Sequence, residues 1–267
     1  MTGQLKRLEE RMDRLTREDV CVAFSGGVDS SLLLRAAVAA AKKNGTKVYA
    51  VTISTRLQPQ EDLETAESVA KECGANWQVL RIDESRNEKI LENSRQRCYW
   101  CKAFLFQSLK DWAAAHGVTV LLEGSNADDL GVYRPGLRAV KELGARSPLA
   151  ELGITKEEVR RMAQELGISV ALRPSAPCMA TRLPYGTRLD FEMLERLEEG
   201  ERRLRSLGFA VVRLRLHGEI VRIEVATEKL AAAISERETI VKILRELGFH
   251  YITLDMEGFR SGSMDVW

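Results

Sequence analysis

The chain has 267 residues, of which 45% are hydrophobic and 30% are charged, and its formal net charge is +1. This composition is typical of a soluble globular protein, and the near-neutral charge argues against nucleic acid as a partner unless a local basic patch binds it. The charged N-terminal segment 1–18 is unlike a signal peptide, and no apolar run reaches the ~20 residues of a membrane span, so we expect a cytoplasmic protein without membrane contact.

The first predicted elements surround a turn that contains two glycines. The apolar segment 20–24 predicts a buried strand, SGGVDS follows at 25–30, and the Ala-rich segment 30–43 predicts a helix. Glycines lack Cβ atoms, so backbone N–H groups can approach a phosphate, and the helix dipole adds positive potential there. The segment predicts an anion site, although it contains no Lys of the kind found in GxxxxGK[ST] loops. The nucleotide-binding candidates here are Ala23, Ser25, Gly26, Gly27, Asp29 and Ser30.

The rest of the N-terminal part alternates strands with helices. Strands are predicted at 47–53, 77–82 and 118–123, and helices at 61–73, 102–115 and 155–166. This alternation predicts an α/β fold with a parallel sheet and helices on both faces. Ligands of such sheets collect at the C-terminal ends of the strands, where SGGVDS lies. Thr52, near the end of the second predicted strand, is a further nucleotide-binding candidate.

The pattern changes after a segment at 171–186 that is rich in Pro, Ser and Gly and predicts a linker or ordered loop. Beyond it the predicted order is helix, strand, strand, helix, strand, at 190–207, 210–216, 219–225, 229–247 and 251–255. That order predicts a small α+β domain. We therefore predict a nucleotide-binding domain over 1–175 and a domain for substrate binding or oligomerisation over 187–267.

Short polar residues follow the fourth predicted strand in the sequence EGSNADD, residues 123–129. Gly124 permits a tight turn, and Asn126 supplies a polar group near a nucleotide. Asp128 and Asp129 could hold Mg²⁺ through carboxylate oxygens. An Asn- and Asp-rich helix N-cap is the alternative interpretation.

Two pairs of arginines are candidates for binding anions. Arg134 and Arg138 follow the acidic cluster closely and could place a guanidinium on a phosphate or a substrate carboxylate, unless they are ordinary surface residues. Arg213 and Arg215 alternate on a predicted strand, so they share one face of it. Glu224 is a neighbouring acidic or metal-binding candidate. The alternative is a solvated sheet face with cross-strand ion pairs.

The five cysteines are an odd number, which predicts reduced thiols, metal ligation or catalysis rather than a disulfide framework. Cys98 and Cys101 form a CxxC that alone fits a redox dithiol, half of a zinc site or part of an iron–sulfur site. Neither a second CxxC nor a His pair completes a zinc site, and the motif precedes a predicted helix. With Cys178, these thiols could hold a 4Fe–4S cluster with one open iron. Cys21 and Cys73 are expected to be buried structural thiols.

The combination of SGGVDS, RCYWCK, GSNADD with RPG, and PCMATR resembles the LarE family. These sulfur transferases of the PP-loop ATP pyrophosphatase superfamily build the nickel-pincer nucleotide of lactate racemase. The resemblance runs from the PP loop through the C-terminal domain and departs at Ser125, where the family usually has Thr. It implies that ATP, with Mg²⁺, adenylates the carboxylates of a pyridinium-3,5-dicarboxylate mononucleotide. Sulfur then displaces AMP to give thiocarboxylates.

The resemblance implies two ways to supply the sulfur. In family members with one cysteine, the residue that matches Cys178 gives up its own sulfur and becomes dehydroalanine. In members with three, an oxygen-sensitive 4Fe–4S cluster carries an extra sulfide. Because this chain has Cys98 and Cys101 as well, we expect the cluster version, with Asp29 in the ATP half-reaction.

The resemblance also implies a sulfide donor as partner, a homo-oligomer, suspected to be a hexamer, and arginines of the segment around 213–215 near the substrate phosphate. Tyr99 and Trp100 could stack on the pyridinium ring, or pack around a cluster. A tRNA thiolation enzyme of the same superfamily and a non-enzymatic nucleotide- or zinc-binding regulator are the alternative functions. The first would need a basic RNA-binding surface, which is not evident in the sequence.

Overall fold

The computed structural model describes residues 3–131, 134–174, 177–260 and 262–264. The chain divides into two compact units, Met1–Asn87 with Gln96–Ala176, and Glu88–Arg95 with Pro177–Trp267. The predicted limits, 1–175 and 187–267, differ from this division in two respects. Residues 88–95 belong to the second unit rather than to the first. Residues 177–186 are part of the second unit rather than a linker before it.

A parallel sheet forms the centre of the first unit. Its strands run in the order β3-β2-β1-β4 and comprise β1 (Val20–Ala23), β2 (Val48–Ser54), β3 (Asn76–Arg81) and β4 (Val120–Leu122). Backbone hydrogen bonds of 2.9 Å from Glu123 to Arg146 and from Arg146 to Leu121 extend the sheet beyond β4. The predicted parallel α/β sheet is therefore confirmed.

The helices of both units, in chain order, are α1 (Gly3–Leu15), α2 (Val28–Asn44), α3 (Gln60–Cys73), α4 (Glu88–Leu91), α5 (Arg97–Ala115), α6 (Ala127–Leu130), α7 (Pro135–Glu142), α8 (Pro148–Glu151), α9 (Lys156–Glu165), α10 (Phe191–Ser206), α11 (Leu230–Ser235) and α12 (Arg237–Glu246). Short 3₁₀ helices lie at Glu84–Arg86, Met179–Arg182 and Thr227–Lys229. Of the described helices, none combines the length and the apolar character needed to cross a membrane.

The core of the first unit lies on both faces of the sheet. Helices α1, α2 and α9 contribute Leu8, Leu33 and Met162 to one apolar cluster. Helix α5 contributes Phe106 and Leu109 to a second cluster that includes β-strand residues. Burial on both faces explains why β1 and β4 are continuous apolar runs, whereas the edge strand β3 mixes half-buried and exposed residues.

A three-stranded sheet organises the second unit. Its strands, β5 (Val212–His217), β6 (Ile220–Val225) and β7 (Tyr251–Leu254), pair antiparallel and then parallel in the order β5-β6-β7. The alternate residues Val212 and Leu214 are buried. Helix α10 approaches them closely at Gly200, where a Cβ would lie 2.6 Å from Leu214 Cδ1. The opposite face of the sheet carries the charged side chains.

Two predicted helix limits were wrong. Helix α5 begins at Arg97 rather than at residue 102, so the CxxC lies inside its first turn instead of before it. The predicted helix at 229–247 is divided into the short 3₁₀ helix, α11 and α12, which meet at Glu236. The first error follows from the modest helix propensity of Cys, Tyr and Trp, which tertiary packing overrides.

Candidate active site

The turn between β1 and α2 forms a cradle of backbone N–H groups. Gly26 has a φ of +71°, and a Cβ there would lie 2.8 Å from the backbone Cα of Ala66. Gly27 is the N-cap of α2 and has no side chain with which to cap the first N–H groups. The hydroxyl of Ser25 accepts a 3.4 Å hydrogen bond from Gly27 N, and Ser30 Oγ donates to Gly27 O at 3.1 Å. The turn thus has the local geometry, glycines at the N-terminus of α2, on which the predicted anion site depends.

A cavity of about 270 Å³ opens at the C-terminal ends of the strands beside this turn. The residues on its wall that the sequence predicted are Ala23, Ser25, Asp29, Ser30, Gly124, Asp129 and Arg134. Gln58, Lys102 and Glu123 also line it, together with apolar residues such as Phe24 and Phe106. Lys102 and Glu123 lie within the motifs RCYWCK and EGSNADD, but their convergence on one cavity depends on the fold.

The turn after β4 packs directly against the start of α2. A Cβ on Gly124 would lie 2.8 Å from the backbone N of Ser30. The buried carboxylate of Glu123 fixes the same turn, accepting hydrogen bonds from Ser125 N at 3.0 Å and Ser125 Oγ at 2.7 Å, and one from Ser147 Oγ. Gly124 is therefore required by this close approach of backbone, and not by the tight turn predicted from the sequence, since its φ is not positive.

The carboxylate of Asp29 is held by two donors from other parts of the chain. Asn126 Nδ2 donates to Asp29 Oδ1 at 3.0 Å, and Lys156 Nζ forms an ion pair with Asp29 Oδ2. Sequence analysis missed Lys156, which is 127 residues from Asp29. Its one local signal was the capping box of Thr155 and Glu158, which places Lys156 at the first position of α9.

The two aspartates of the acidic cluster make helix-capping contacts. Asp129 Oδ2 accepts a hydrogen bond from Asn126 N at 3.1 Å in a capping box, and its Oδ1 pairs with Arg134 at 2.7 Å. Asp128 Oδ2 accepts a hydrogen bond from Lys156 N at 2.9 Å. These are the contacts of the N-cap interpretation, and Asp129 also lies on the cavity wall.

Two other predicted site residues make contacts within the protein. Thr52 is buried, and its hydroxyl accepts a 2.8 Å hydrogen bond from the indole of Trp77. Arg138 lies 4.2 Å from the centre of the Tyr99 ring, whose hydroxyl donates to Glu142 at 2.7 Å. Arg138 thus stacks on an aromatic ring of its own chain.

Cys98 and Cys101 lie on the first turn of α5, with half-exposed side chains three residues apart and hence on one face. The buried Arg97 donates to Cys98 Sγ at 3.7 Å. Cys21 and Cys73 are buried as predicted, and burial raises the pKa of their thiols to about 12 and about 11. Within the described ranges, no three His, Cys, Asp or Glu side chains are grouped to hold a metal ion.

Cys178 lies in the second unit, at the start of the 3₁₀ helix Met179–Arg182, and its side chain is half-exposed. Its carbonyl accepts hydrogen bonds from Thr181 Oγ1 at 2.9 Å and from Arg182 Nη1 at 3.4 Å. Arg182 is itself buried in a two-pronged pair with Glu201, at 2.8 and 2.9 Å. The backbone that carries the thiol is therefore anchored to α10.

The two predicted arginines on the charged face of the second sheet, Arg213 and Arg215, have different surroundings. Arg215 is buried and pairs with Glu224, and its Nη1 donates to Thr181 O at 2.9 Å. Glu224 is fully buried and also accepts from Arg222 at 2.9 Å and from Ser263 Oγ at 2.6 Å, so its oxygens are used within the protein.

Arg213 is less fully engaged than Arg215. Its Nε is buried without a hydrogen-bond partner among the described residues, and its guanidinium lies 5.4 Å from the centre of the Phe259 ring. Burial, followed by the positive charge of Arg182, lowers the pKa of Arg213. An anion bound beside this guanidinium would favour its charged form and so oppose the lowering of its pKa by burial and by Arg182.

A cavity beside a Gly-rich turn at a helix N-terminus, at the C-terminal ends of a parallel sheet, is typical of the PP-loop class of ATP-binding proteins. Residues 2–131 match the family described as a PP-loop domain. The NMN synthetase of Francisella tularensis has a similar fold, with a TM-score of 0.50 and 14% identity, over 64% of this chain and 75% of that one.

Relatives with higher sequence identity cover nearly the whole chain. One is the pyridinium-3,5-bisthiocarboxylic acid mononucleotide synthase of Lactiplantibacillus plantarum, 38% identical over 92% of this chain and 88% of that protein. Another is an uncharacterized protein of Synechocystis, 37% identical over 99% of this chain and 98% of its own length. The chain belongs to the LarE family, and the resemblance noted from its motifs is confirmed.

Proposed function

We propose that the protein uses ATP to adenylate the carboxylates of pyridinium-3,5-biscarboxylic acid mononucleotide and converts them to thiocarboxylates. The observation that carries the proposal is the cradle of Gly26, Gly27 and Ser30 beside the cavity, in a chain 38% identical to a synthase of the bisthiocarboxylic product. The named relative and the PP-loop domain support an enzyme, and the site supports an ATP-dependent one.

The cradle fits the chemical requirement of this reaction. A carboxylate is a poor electrophile, and attachment of AMP provides a leaving group that sulfur can displace. As the bond between the α-phosphorus and the bridging oxygen breaks, negative charge accumulates on pyrophosphate. The N–H groups of the first turn of α2, whose N-cap Gly27 has no capping side chain, would stabilise that charge.

The acidic residues of the cavity fit a magnesium ion carried by ATP. The cavity wall carries three carboxylates, those of Asp29, Glu123 and Asp129, and carboxylates are ligands that Mg²⁺ prefers. Asp128 directly precedes Asp129 in the chain. When bound, the ion neutralises charge on the phosphates. We propose that Asp29 and Asp129 bind the ion. We propose that Asp128, which lies beside the start of α9, is a further ligand.

We further propose that Cys98, Cys101 and Cys178 hold a 4Fe–4S cluster. All three are half-exposed, and two share one helix face, whereas the high-pKa thiols of Cys21 and Cys73 are buried. These donors fit such a cluster, which supplies an open iron for sulfide when bound. Direct donation of sulfur by Cys178, leaving dehydroalanine, is the alternative that the family resemblance implies.

The second unit supports binding of the mononucleotide. We propose that Arg213 binds its phosphate, since the Nε of Arg213 is buried without a hydrogen-bond partner in the described part of the chain. Arg215 acts behind it, because Glu224 and Thr181 already engage its guanidinium. We also propose a cytoplasmic homo-oligomer, a hexamer by family resemblance, that is served by a sulfide donor and binds no nucleic acid.

The proposal is tested by supplying the purified protein, under anaerobic conditions, with ATP, Mg²⁺, sulfide and the pyridinium dicarboxylate mononucleotide. We expect AMP, pyrophosphate and a thiocarboxylate product. Iron and sulfide content of wild type and of Cys98→Ala, Cys101→Ala and Cys178→Ala separates the two sulfur sources. Iron lost in each variant supports the cluster. An iron-free wild type whose Cys178 loses the mass of H₂S supports direct donation, and turnover of a tRNA but not of the mononucleotide would overturn the substrate assignment.

A further inference from the structure

The chain turns back on the second sheet after its last strand. Asp255 N donates to Ile223 O at 2.9 Å and Phe259 N donates to Val225 O at 2.8 Å, so both hydrogen bonds end on β6. Between them, Gly258 has a φ of +71°, and a Cβ there would lie 2.8 Å from Val225 O. Glycine alone combines the left-handed backbone with the missing Cβ, so this turn fixes the residue that follows it.

The turn brings the ring of Phe259 beside Arg213. The two residues belong to different elements, since Phe259 is bonded to the end of β6 and Arg213 lies at the start of β5, the next strand of the sheet. The centre of the ring lies 5.4 Å from the guanidinium carbon of Arg213, within the ~6 Å range of a cation–π contact. The hydroxyl of Ser263 donates to Glu224 at 2.6 Å and attaches the same segment to the sheet at a second point.

Arg213 differs from two neighbouring arginines in the groups that hold its guanidinium. Arg182 and Arg215 each form an ion pair with a buried carboxylate. Arg213 forms no ion pair with a carboxylate in the described part of the chain, and its Nη1 donates to the backbone oxygen of Val212 at 2.7 Å. Its other contact is the uncharged ring of Phe259. A ring orders a guanidinium without neutralising it, so the charge of Arg213 stays available to an anion.

We propose that Phe259 is a positioning residue, which holds the guanidinium of Arg213 in the orientation that binds the phosphate of the mononucleotide. A free arginine side chain has many rotamers, and ordering it during binding reduces affinity. The ring orders Arg213 before the substrate arrives, and the anchored segment around Gly258 and Ser263 holds the ring. The inference rests on the phosphate-binding role proposed above for Arg213.

Calorimetric titration of the full-length protein with pyridinium-3,5-biscarboxylic acid mononucleotide, without ATP, tests the inference. Phe259→Leu removes the ring and keeps an apolar side chain, so binding should weaken about 2- to 12-fold, the cost of ordering one long side chain. Phe259→Tyr keeps the ring and should bind as wild type does. Phe249→Leu removes a ring that lies 5.8 Å from Arg196 in the same unit, and this matched control should leave mononucleotide binding unchanged.

A double-mutant cycle separates positioning from general support of the fold. If Phe259 acts through Arg213, Phe259→Leu has no further effect on binding once Arg213→Met has removed the guanidinium. Losses of affinity that add in the double variant overturn the inference, and so does unchanged affinity in Phe259→Leu when Arg213→Met binds weakly. Unchanged affinity in Arg213→Met overturns the proposed phosphate site as well.

Discussion

Substitution of Gly124 by Ala tests the steric construction of the phosphate cradle. The new Cβ would lie 2.8 Å from Ser30 N, 3.0 Å from Ser30 Cα and 3.2 Å from Asp29 C. Ordinary contacts begin at ~3.5 Å, so the backbone that starts α2 must move by about 0.7 Å. Overpacking of this kind costs about 1–3 kcal/mol. If the bound state carries that cost, ATP affinity falls roughly 5- to 150-fold.

Gly131→Ala is the matched control, because its Cβ would lie at 3.7 Å from Asp128 O and its φ of −84° suits any residue. We expect calorimetric ATP titration to show the loss in Gly124→Ala alone, with the thermal unfolding midpoint measured for both variants. Wild-type ATP affinity in Gly124→Ala would refute the argument that the two turns must touch to form the cradle.

Three further outcomes follow from burial and charge. Glu201→Gln leaves its buried partner Arg182 without a counter-charge, so the free energy of unfolding in urea should fall by about 3–5 kcal/mol. Glu199→Gln removes more exposed ion pairs on the same helix and should cost at most about 1 kcal/mol. Equal losses in the two variants would contradict the first estimate. At pH 8, iodoacetamide mapped by mass spectrometry should label Cys21 and Cys73 last, because their raised pKa values leave little thiolate, and early labelling of either would contradict their burial. Arg213→Met should weaken binding of the pyridinium mononucleotide about 10- to 100-fold and leave the KM for ATP unchanged, and unchanged mononucleotide binding would remove this arginine from the proposed substrate site.

The local patterns of the chain were sufficient for the parallel sheet and the cradle. The apolar strands and the glycines of SGGVDS dictate a strand–turn–helix unit, and Gly26 and Gly124 are required at positions where a Cβ meets backbone. These constraints are short-range or steric, so the sequence displays them. The CxxC was found as well, although its place inside the first turn of α5 depends on packing.

The features that could not be predicted from the sequence depend on contacts between residues far apart in the chain. Lys156 reaches Asp29 across 127 positions, and no local signal pairs them. Period-two spacing put Arg213 and Arg215 on one face, but only the structure distinguishes the second, buried against Glu224, from the first. Segment 88–95 belongs to the second unit for a similar reason, since Leu189 N donates to Leu91 O at 2.8 Å.

The central claim is that ATP cleavage to AMP activates a carboxylate for sulfur transfer. The most direct measurement is a mass-spectrometric assay of the anaerobic reaction with ATP, sulfide and the pyridinium dicarboxylate mononucleotide, which quantifies AMP and thiocarboxylate together. We expect one AMP for each thiocarboxylate formed, with both absent when the mononucleotide is omitted. Formation of ADP, or release of AMP without any thiocarboxylate, would contradict the central claim.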